Sequence, residues 1–357
     1  MGVYGMIRLP GLIDIHAHLR EPGATHKEDF STGTAAALSG GFTTVLAMPN
    51  TQPPITTPEA FEKAIHTAAQ KALCDWGQYL GAGPENAVLI SPLAAQAAGL
   101  KMYLDVTYGD LRLDQMDLLF PHFENWPKES PIVAHAENQS AALAILVASL
   151  FDRSVHIAHV SRKEEVILIR EAKEKGLKVT CEVCPHHLFL NEADHPRIGE
   201  GRSEVRPVLN TADDQAALWE NLDVIDCFAT DHAPHTLSEK DSKTPPPGFP
   251  GLESALPLLL TAVHQERLSI EDIILRFHDN PKQIFDLEEQ PDTYIEIDPD
   301  IEWQFRAANT LTRCGWSPFE GWQMKGKVQK VVLRGREAYA NGQILVNPGY
   351  GVNIRKP

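Results

Sequence analysis

Short apolar runs rich in β-formers recur along the chain, separated by segments with the 3.6-residue period of helices. The runs at 12–16, 43–47, 74–81, 99–104, 131–135, 154–159, 178–183 and 224–230 predict strands. Helices are predicted at 27–38, 58–73, 138–150, 164–175, 213–222 and 252–266, several opening with Asp, Asn or Pro and ending near Gly. Strands alternating with helices imply βαβ units and a parallel sheet, and eight strand candidates match the number in a (β/α)8 barrel. After Pro281 the pattern changes, with short segments at 294–297, 328–333 and 338–345 that look like antiparallel strands. The predicted fold class is therefore α/β: a (β/α)8 TIM barrel over 10–285, with a small additional β layer made by 1–9 and 286–357. Pro245-Pro246-Pro247-Gly248 reads as a rigid loop, not a linker, because a helical segment resumes directly after it.

Length and composition agree with one large soluble core. The chain has 357 residues, 43% of them hydrophobic and 22% charged, which are globular values with no room for extensive disorder. No stretch approaches the roughly 20 apolar residues of a membrane span, and the first ten residues lack a signal-peptide core. Five cysteines, an odd number without framework spacing, argue for reduced thiols and a cytoplasmic location. The formal net charge of -16 speaks against nucleic acid or an anionic membrane as partner.

Chemistry gathers at the ends of the apolar runs. His16 and His18 follow the first, Lys101 interrupts the run at 99–104, His135 and His159 end two others, and Asp231 follows the last. In a (β/α)8 barrel these strand ends converge on one face, where active sites are built. Residues two apart on a strand point to the same side, roughly 7 Å apart, so His16 and His18 can reach one metal. Alone such a pair is more often surface or core histidine; four histidines and an aspartate at separate strand ends are harder to ascribe to packing. Lys101 has two readings. Its head could snorkel to solvent, or burial could strip its proton so that the amine takes up carbon dioxide and becomes a carbamate able to bridge two metals. Cys181-Glu182-Val183-Cys184 has Cys-x-x-Cys spacing, but residues three apart on a strand face opposite sides and no second pair follows, so neither a zinc knuckle nor a redox pair is expected.

Six ordered motifs resemble the amidohydrolase superfamily and, within it, the dihydroorotase domains of animal multifunctional pyrimidine-synthesis proteins of the CAD type. They are Gly11-Leu12-Ile13-Asp14-Ile15-His16-Ala17-His18-Leu19-Arg20-Glu21-Pro22-Gly23, Met48-Pro49-Asn50-Thr51, Gly99-Leu100-Lys101, Ala134-His135-Ala136-Glu137, Pro185-His186-His187 and Asp231-His232-Ala233-Pro234-His235. The resemblance spans about Arg8 to Tyr350. It implies the zinc-dependent, reversible cyclisation of N-carbamoyl-L-aspartate to L-dihydroorotate in pyrimidine synthesis. His16, His18, carboxylated Lys101 and Asp231 would hold one Zn2+, while Lys101, His135 and His159 would hold a second. A bridging hydroxide would be the nucleophile and Asp231 the general base and acid. Arg20, Asn50 and His235 match positions that hold the substrate's free carboxylate, giving an acidic protein a local positive patch for an anion. The alternative for Arg20 is a surface ion pair with Glu21. Arg206, Pro247 and Gly248 match positions near the substrate ring, and Thr107 and Tyr108 match a flexible loop that closes over it; a plain βα loop is the other reading.

Glu182 matches an acidic position that can assist a third zinc in animal relatives, but Ala158 stands where such relatives can carry a cysteine, which argues against that ion here. His186 and His187 are expected to support the site or the fold, and Trp303, Trp316 and Trp322 to pack the β layer. The resemblance further implies a homodimer fused to other pyrimidine-pathway domains. Two other functions compete: a different cyclic amidohydrolase such as a hydantoinase, and a non-catalytic dihydroorotase-like scaffold. Every expected ligand is present, which disfavours the scaffold.

Overall fold

The computed structural model describes residues 5–109 and 111–355, so residues 1–4, 356 and 357 of the predicted β extension lie outside the described residues. Eight parallel strand positions follow one another with helices between them. They are β2 (Leu12–Ala17, after the short β1, Ile7–Pro10), β3 (Phe42–Ala47), β4 (Asp75–Gln78) continued by β5 (Leu80–Gly81), β6 (Leu100–Tyr103), β7 (Ile132–His135), β8 (Val155–Ile157), β9 (Val179–Val183) and β10 (Cys227–Phe228). Their pairings form a three-stranded parallel sheet, β2-β3-β4, and a six-stranded one, β5 to β10. The two join through Tyr79, which lies between β4 and β5 and donates its N–H to Ala47 O. At the far ends, Ala17 and His232 form a parallel bridge, and His18 N donates to His232 O at 2.7 Å. Every residue of β2 and of β3 is buried, as expected of parallel strands covered on both faces.

The helices form where the chain offers caps. Thr57 caps Pro58–Lys71 from its side chain with proline in the first turn, and Asp29 closes a capping box on Phe30–Ser39. The predicted helix over 252–266 is shorter, Ala255–His264. The helix Met116–Asn125, which contains Pro121, was not expected.

The segment after Pro281 supplies β11 (Tyr294–Gln304), β12 (Gln323–Leu333), β13 (Arg336–Ala340) and β14 (Gln343–Ile344), which with β1 make an antiparallel sheet in the order β1-β11-β12-β13-β14. Ile295, Ile297, Val331 and Leu333 belong to the same buried cluster as Leu12, Phe42 and Leu256, so this sheet shares the main core. Gly326 shows how close the layers lie: at φ +77° it faces Leu260, and a Cβ there would sit 2.5 Å from a leucine methyl. Trp303 and Trp322 pack against a smaller cluster containing Trp316, as expected of structural aromatics. Among the described residues no helix is long and apolar enough to cross a membrane.

Candidate active site

The carboxyl ends of the parallel strands bring the six ionisable residues together. His16 lies in β2 and His18 just past it, Lys101 lies in β6, His135 closes β7, and His159 and Asp231 stand in the turns after β8 and β10. The predicted strand over 154–159 stops at Ile157, which frees His159 to turn. Arg20, His159 and Asp231 take φ of 60°, 35° and 43°. A left-handed non-glycine backbone costs about 1–3 kcal/mol and persists only where the surroundings impose it, typically at functional sites.

Hydrogen bonds fix the tautomers of the first two histidines. Asn50 donates from Nδ2 to Tyr108 O at 3.0 Å, which turns its Oδ1 toward His18 Nδ1 at 2.7 Å. His16 Nδ1 faces Glu182 Oε1 at 2.5 Å. Both rings therefore carry hydrogen on Nδ1 and leave the Nε2 lone pair free. These Nε2 atoms lie 3.3 Å and 3.1 Å from the same oxygen of Asp231. Burial pushes His18 down to about 4, so that ring is neutral near pH 7. Two imidazole lone pairs directed at an anionic oxygen repel unless a cation lies among them. The three residues form a group able to hold a metal ion, and a donor set of imidazole nitrogen and carboxylate oxygen suits zinc.

Beside them, His135 Nδ1 and His159 Nε2 stand 2.8 Å apart. Burial lowers both rings, His159 far below its ordinary value. Lys101 has no solvent-exposed surface, and its Nζ has no hydrogen-bond partner. The snorkelling reading therefore fails. Burial lowers this ammonium to about 8, against the pull of Glu182 and Asp231, so a free-base fraction exists near neutrality.

The cationic side of the pocket is built on Arg20. Its Nε donates to Pro234 O at 3.0 Å and its Nη2 lies 3.0 Å from His235 Nε2, while Glu21 pairs with Lys71 instead; the surface ion pair with Glu21 is not formed. His235 is also 3.1 Å from Lys27 Nζ. Burial and these cations keep its ring neutral. The Tyr108 ring closes over this group, 5.2 Å from the His235 ring, and its hydroxyl accepts from Lys27. His16, His18, Arg20, Asn50, Thr107, Tyr108, His135, His159, Arg206, Asp231, Pro247 and Gly248 all line one pocket, in which only about 20 Å³ stays free, room for about one water. Lys101, Glu182 and His235 stand behind its wall.

Glu182 does more than face a single ring. Its second oxygen is 3.1 Å from His156 Nε2, and its first accepts from His159 N at 3.3 Å. It thereby ties His16 to the turn that carries His159. Residues that the sequence reading passed over hold the rest. Asp14 accepts from Thr230 N and Thr230 Oγ1, coupling β2 to the turn before Asp231. Glu137 lies 3.4 Å from His135 Nε2. Buried Lys240 donates to the carbonyls of Glu204, Pro246 and Gly248. Of these, only Asp14 and Glu137 lay inside quoted motifs; Lys27 and Lys240 sit in polar stretches with no pattern to mark them.

A family model described as dihydro-orotase-like matches residues 5–81. The multifunctional protein CAD of Squalus acanthias is 56% identical over 99% of this chain, which spans 16% of that protein. The dihydroorotase of Pyrococcus furiosus is 33% identical, the match covering 96% of this chain and 84% of that enzyme. Among solved structures, the L-hydantoinase (dihydropyrimidinase) of Arthrobacter aurescens superposes with a TM-score of 0.93 at 27% identity, covering 99% of this chain and 89% of that one. The inactive dihydroorotase-like domain of the Chaetomium thermophilum CAD-like multifunctional protein does so with a TM-score of 0.85 at 33% identity, covering 98% and 100%.

Proposed function

This chain belongs to the dihydroorotase family, and from that premise we propose that it interconverts N-carbamoyl-L-aspartate and L-dihydroorotate in pyrimidine synthesis. We read the eight parallel strands as a closed (β/α)8 barrel over 10–285, with the antiparallel sheet as an added layer built from 1–9 and 286–357. Because the chain spans 16% of its multifunctional relative, we take it to act as one part of a longer cytoplasmic polypeptide, as a homodimer.

The observation that carries the reading is the pair of Nε2 lone pairs of His16 and His18 converging on Asp231 next to a buried, partnerless Lys101. His16, His18, Lys101 and Asp231 would hold one zinc ion, and Lys101, His135 and His159 a second. Bound there, the two ions supply Lewis-acid polarisation of the amide carbonyl and a water acidified to near neutral pH. Free-base Lys101 adds to carbon dioxide, forming an N–C bond and releasing one proton, and the carbamate offers two oxygens where the amine offered one nitrogen. In the hydrolytic direction Asp231 accepts the proton of the attacking water and returns it to the ring nitrogen as the C–N bond breaks. In the synthetic direction it takes the proton of the ureido nitrogen and delivers it to the departing oxygen. Arg20 presents its fork to the free carboxylate of the substrate, with Asn50 and neutral His235 beside it. Arg206, Pro247 and Gly248 bound the ring, and Thr107 and Tyr108 must lift to admit it, because Tyr108 fills the space the substrate needs.

The likeness to an L-hydantoinase favours one rival, and the likeness to an inactive domain favours another. One assay separates all three. Wild type, Arg20→Met and Lys101→Ala are compared for dihydroorotate turnover, hydantoin turnover and bound metal. Dihydroorotase predicts turnover of dihydroorotate that falls roughly 10- to 100-fold in Arg20→Met, which loses a charged contact of about 1.5–3 kcal/mol, and further in Lys101→Ala, which loses the ligand proposed to be shared by both ions. Hydantoin turnover indifferent to Arg20 would favour the first rival, and no turnover by wild type with full metal would favour the second.

A further inference from the structure

Cys184 caps the five-residue helix Pro185–Phe189 at the carboxyl end of β9, and His186 and His187 follow within that helix. The thiol sulfur and one nitrogen from each ring lie within 4.8 Å of one another, and all three side chains are buried. The two rings are tilted against each other with centroids 4.3 Å apart. His187 donates its Nε2–H to Pro207 O at 3.0 Å. That bond fixes the tautomer and leaves the Nδ1 lone pair free, yet Nδ1 has no partner, and neither has His186 Nε2. A buried acceptor without a donor bears its full desolvation penalty. An imidazole whose far nitrogen donates to a backbone carbonyl is oriented as metal-binding histidines are.

We propose that Cys184, His186 and His187 form a binding site for one borderline-soft divalent transition-metal ion of the zinc class, separate from the site around His16, His18 and Asp231. One thiolate and two imidazoles are a donor set for such ions, with a fourth position left to water. On binding, the S–H bond is exchanged for a sulfur–metal bond and the proton passes to solvent. The ion ties the end of β9 through the Pro207 carbonyl to the segment that carries Arg206, so its first effect is on the order of that wall of the pocket.

The test uses protein expressed in cobalt-supplemented minimal medium, so that a buried site fills as the chain folds. Wild type is expected to carry one more cobalt per chain than Cys184→Ala and to show a thiolate-to-cobalt charge-transfer band in the near ultraviolet that the variant lacks. His187→Gln should lose the same ion, and Cys184→Ser serves if the alanine variant does not fold. Absence of the band from wild type overturns the proposal. So does a band that disappears in Cys184→Ala without a change in cobalt content, since the thiol would then touch an ion that other residues hold without it. The main site contains no thiol, so the band reports on Cys184 whether or not the dihydroorotase reading holds.

Discussion

Lys240 has no exposed surface, and its ammonium is shared among the carbonyls of Glu204 at 2.7 Å, Pro246 at 2.9 Å and Gly248 at 3.3 Å. Those carbonyls flank Arg206 and Pro247, so one side chain clamps two stretches of pocket wall. Lys240→Met keeps the length of the side chain and leaves three carbonyls without a donor. Hydrogen bonds to a charged group contribute about 1.5–3 kcal/mol, so kcat/KM for dihydroorotate should fall roughly 10- to 100-fold, with KM rising more than kcat falls. An unchanged KM together with a lowered Tm would reduce Lys240 to a purely structural role. Lys101 and Lys240 also show what a sequence reveals about single residues. Lys101 interrupts an apolar run, where any ammonium is conspicuous. Lys240 lies in a polar stretch, and nothing local distinguishes it from a solvated lysine; its burial is decided by a loop folding back from Pro246. Lys27 escaped notice in the same way, although it stands 3.1 Å from His235.

Between elements, Asp14, in β2, ties the site to Thr230, in the turn after β10. One carboxylate oxygen accepts from Thr230 N at 3.0 Å and His16 N at 3.3 Å, and the other accepts from the Thr230 hydroxyl at 2.5 Å. This tie sets His16 and Asp231 at their mutual distance. Asp14→Ala removes an acceptor from three buried donors, each costing about 1–3 kcal/mol when left unmade. Urea unfolding should show a loss of about 3 kcal/mol or more, accompanied by reduced metal content; a loss below 1 kcal/mol would mean that the strands hold their spacing without it. The strands themselves were legible, since each predicted run overlaps an observed one, but their ends were not. Apolar character continues through 224–230, whereas ladder pairing ends at Phe228. Met116–Asn125 was missed; Pro121, its sixth residue, lies past the first turn and removes one backbone donor from the helix. The strand predicted over 294–297 runs on to Gln304 because register shifts accommodate the polar stretch after Ile297.

For the whole molecule, the junction between the antiparallel sheet and the parallel strands carries a titratable group away from the pocket. Glu253 accepts from Leu311 N at 2.9 Å and Thr312 N at 3.1 Å. It lines a cavity of about 240 Å³ together with Trp303, Phe305 and Tyr339. Burial pushes its carboxyl up to about 7, against the pull of those backbone N–H groups. The folded chain thus holds a proton that the unfolded chain releases near 4.5. The stability this contributes is present in full below about 4.5 and disappears as pH rises through about 7. Glu253→Gln cannot titrate, so its stability relative to wild type should improve between pH 5 and pH 8, by on the order of 2 kcal/mol, given that Glu253 is only partly buried and solvent screens part of the shift. Urea titrations of both proteins at the two pH values measure this directly. A difference independent of pH would mean that the carboxylate is already ionised at pH 5. The 310–312 segment would then be held by a charge at every pH tested, and docking of the antiparallel sheet would not weaken as the solution turns alkaline.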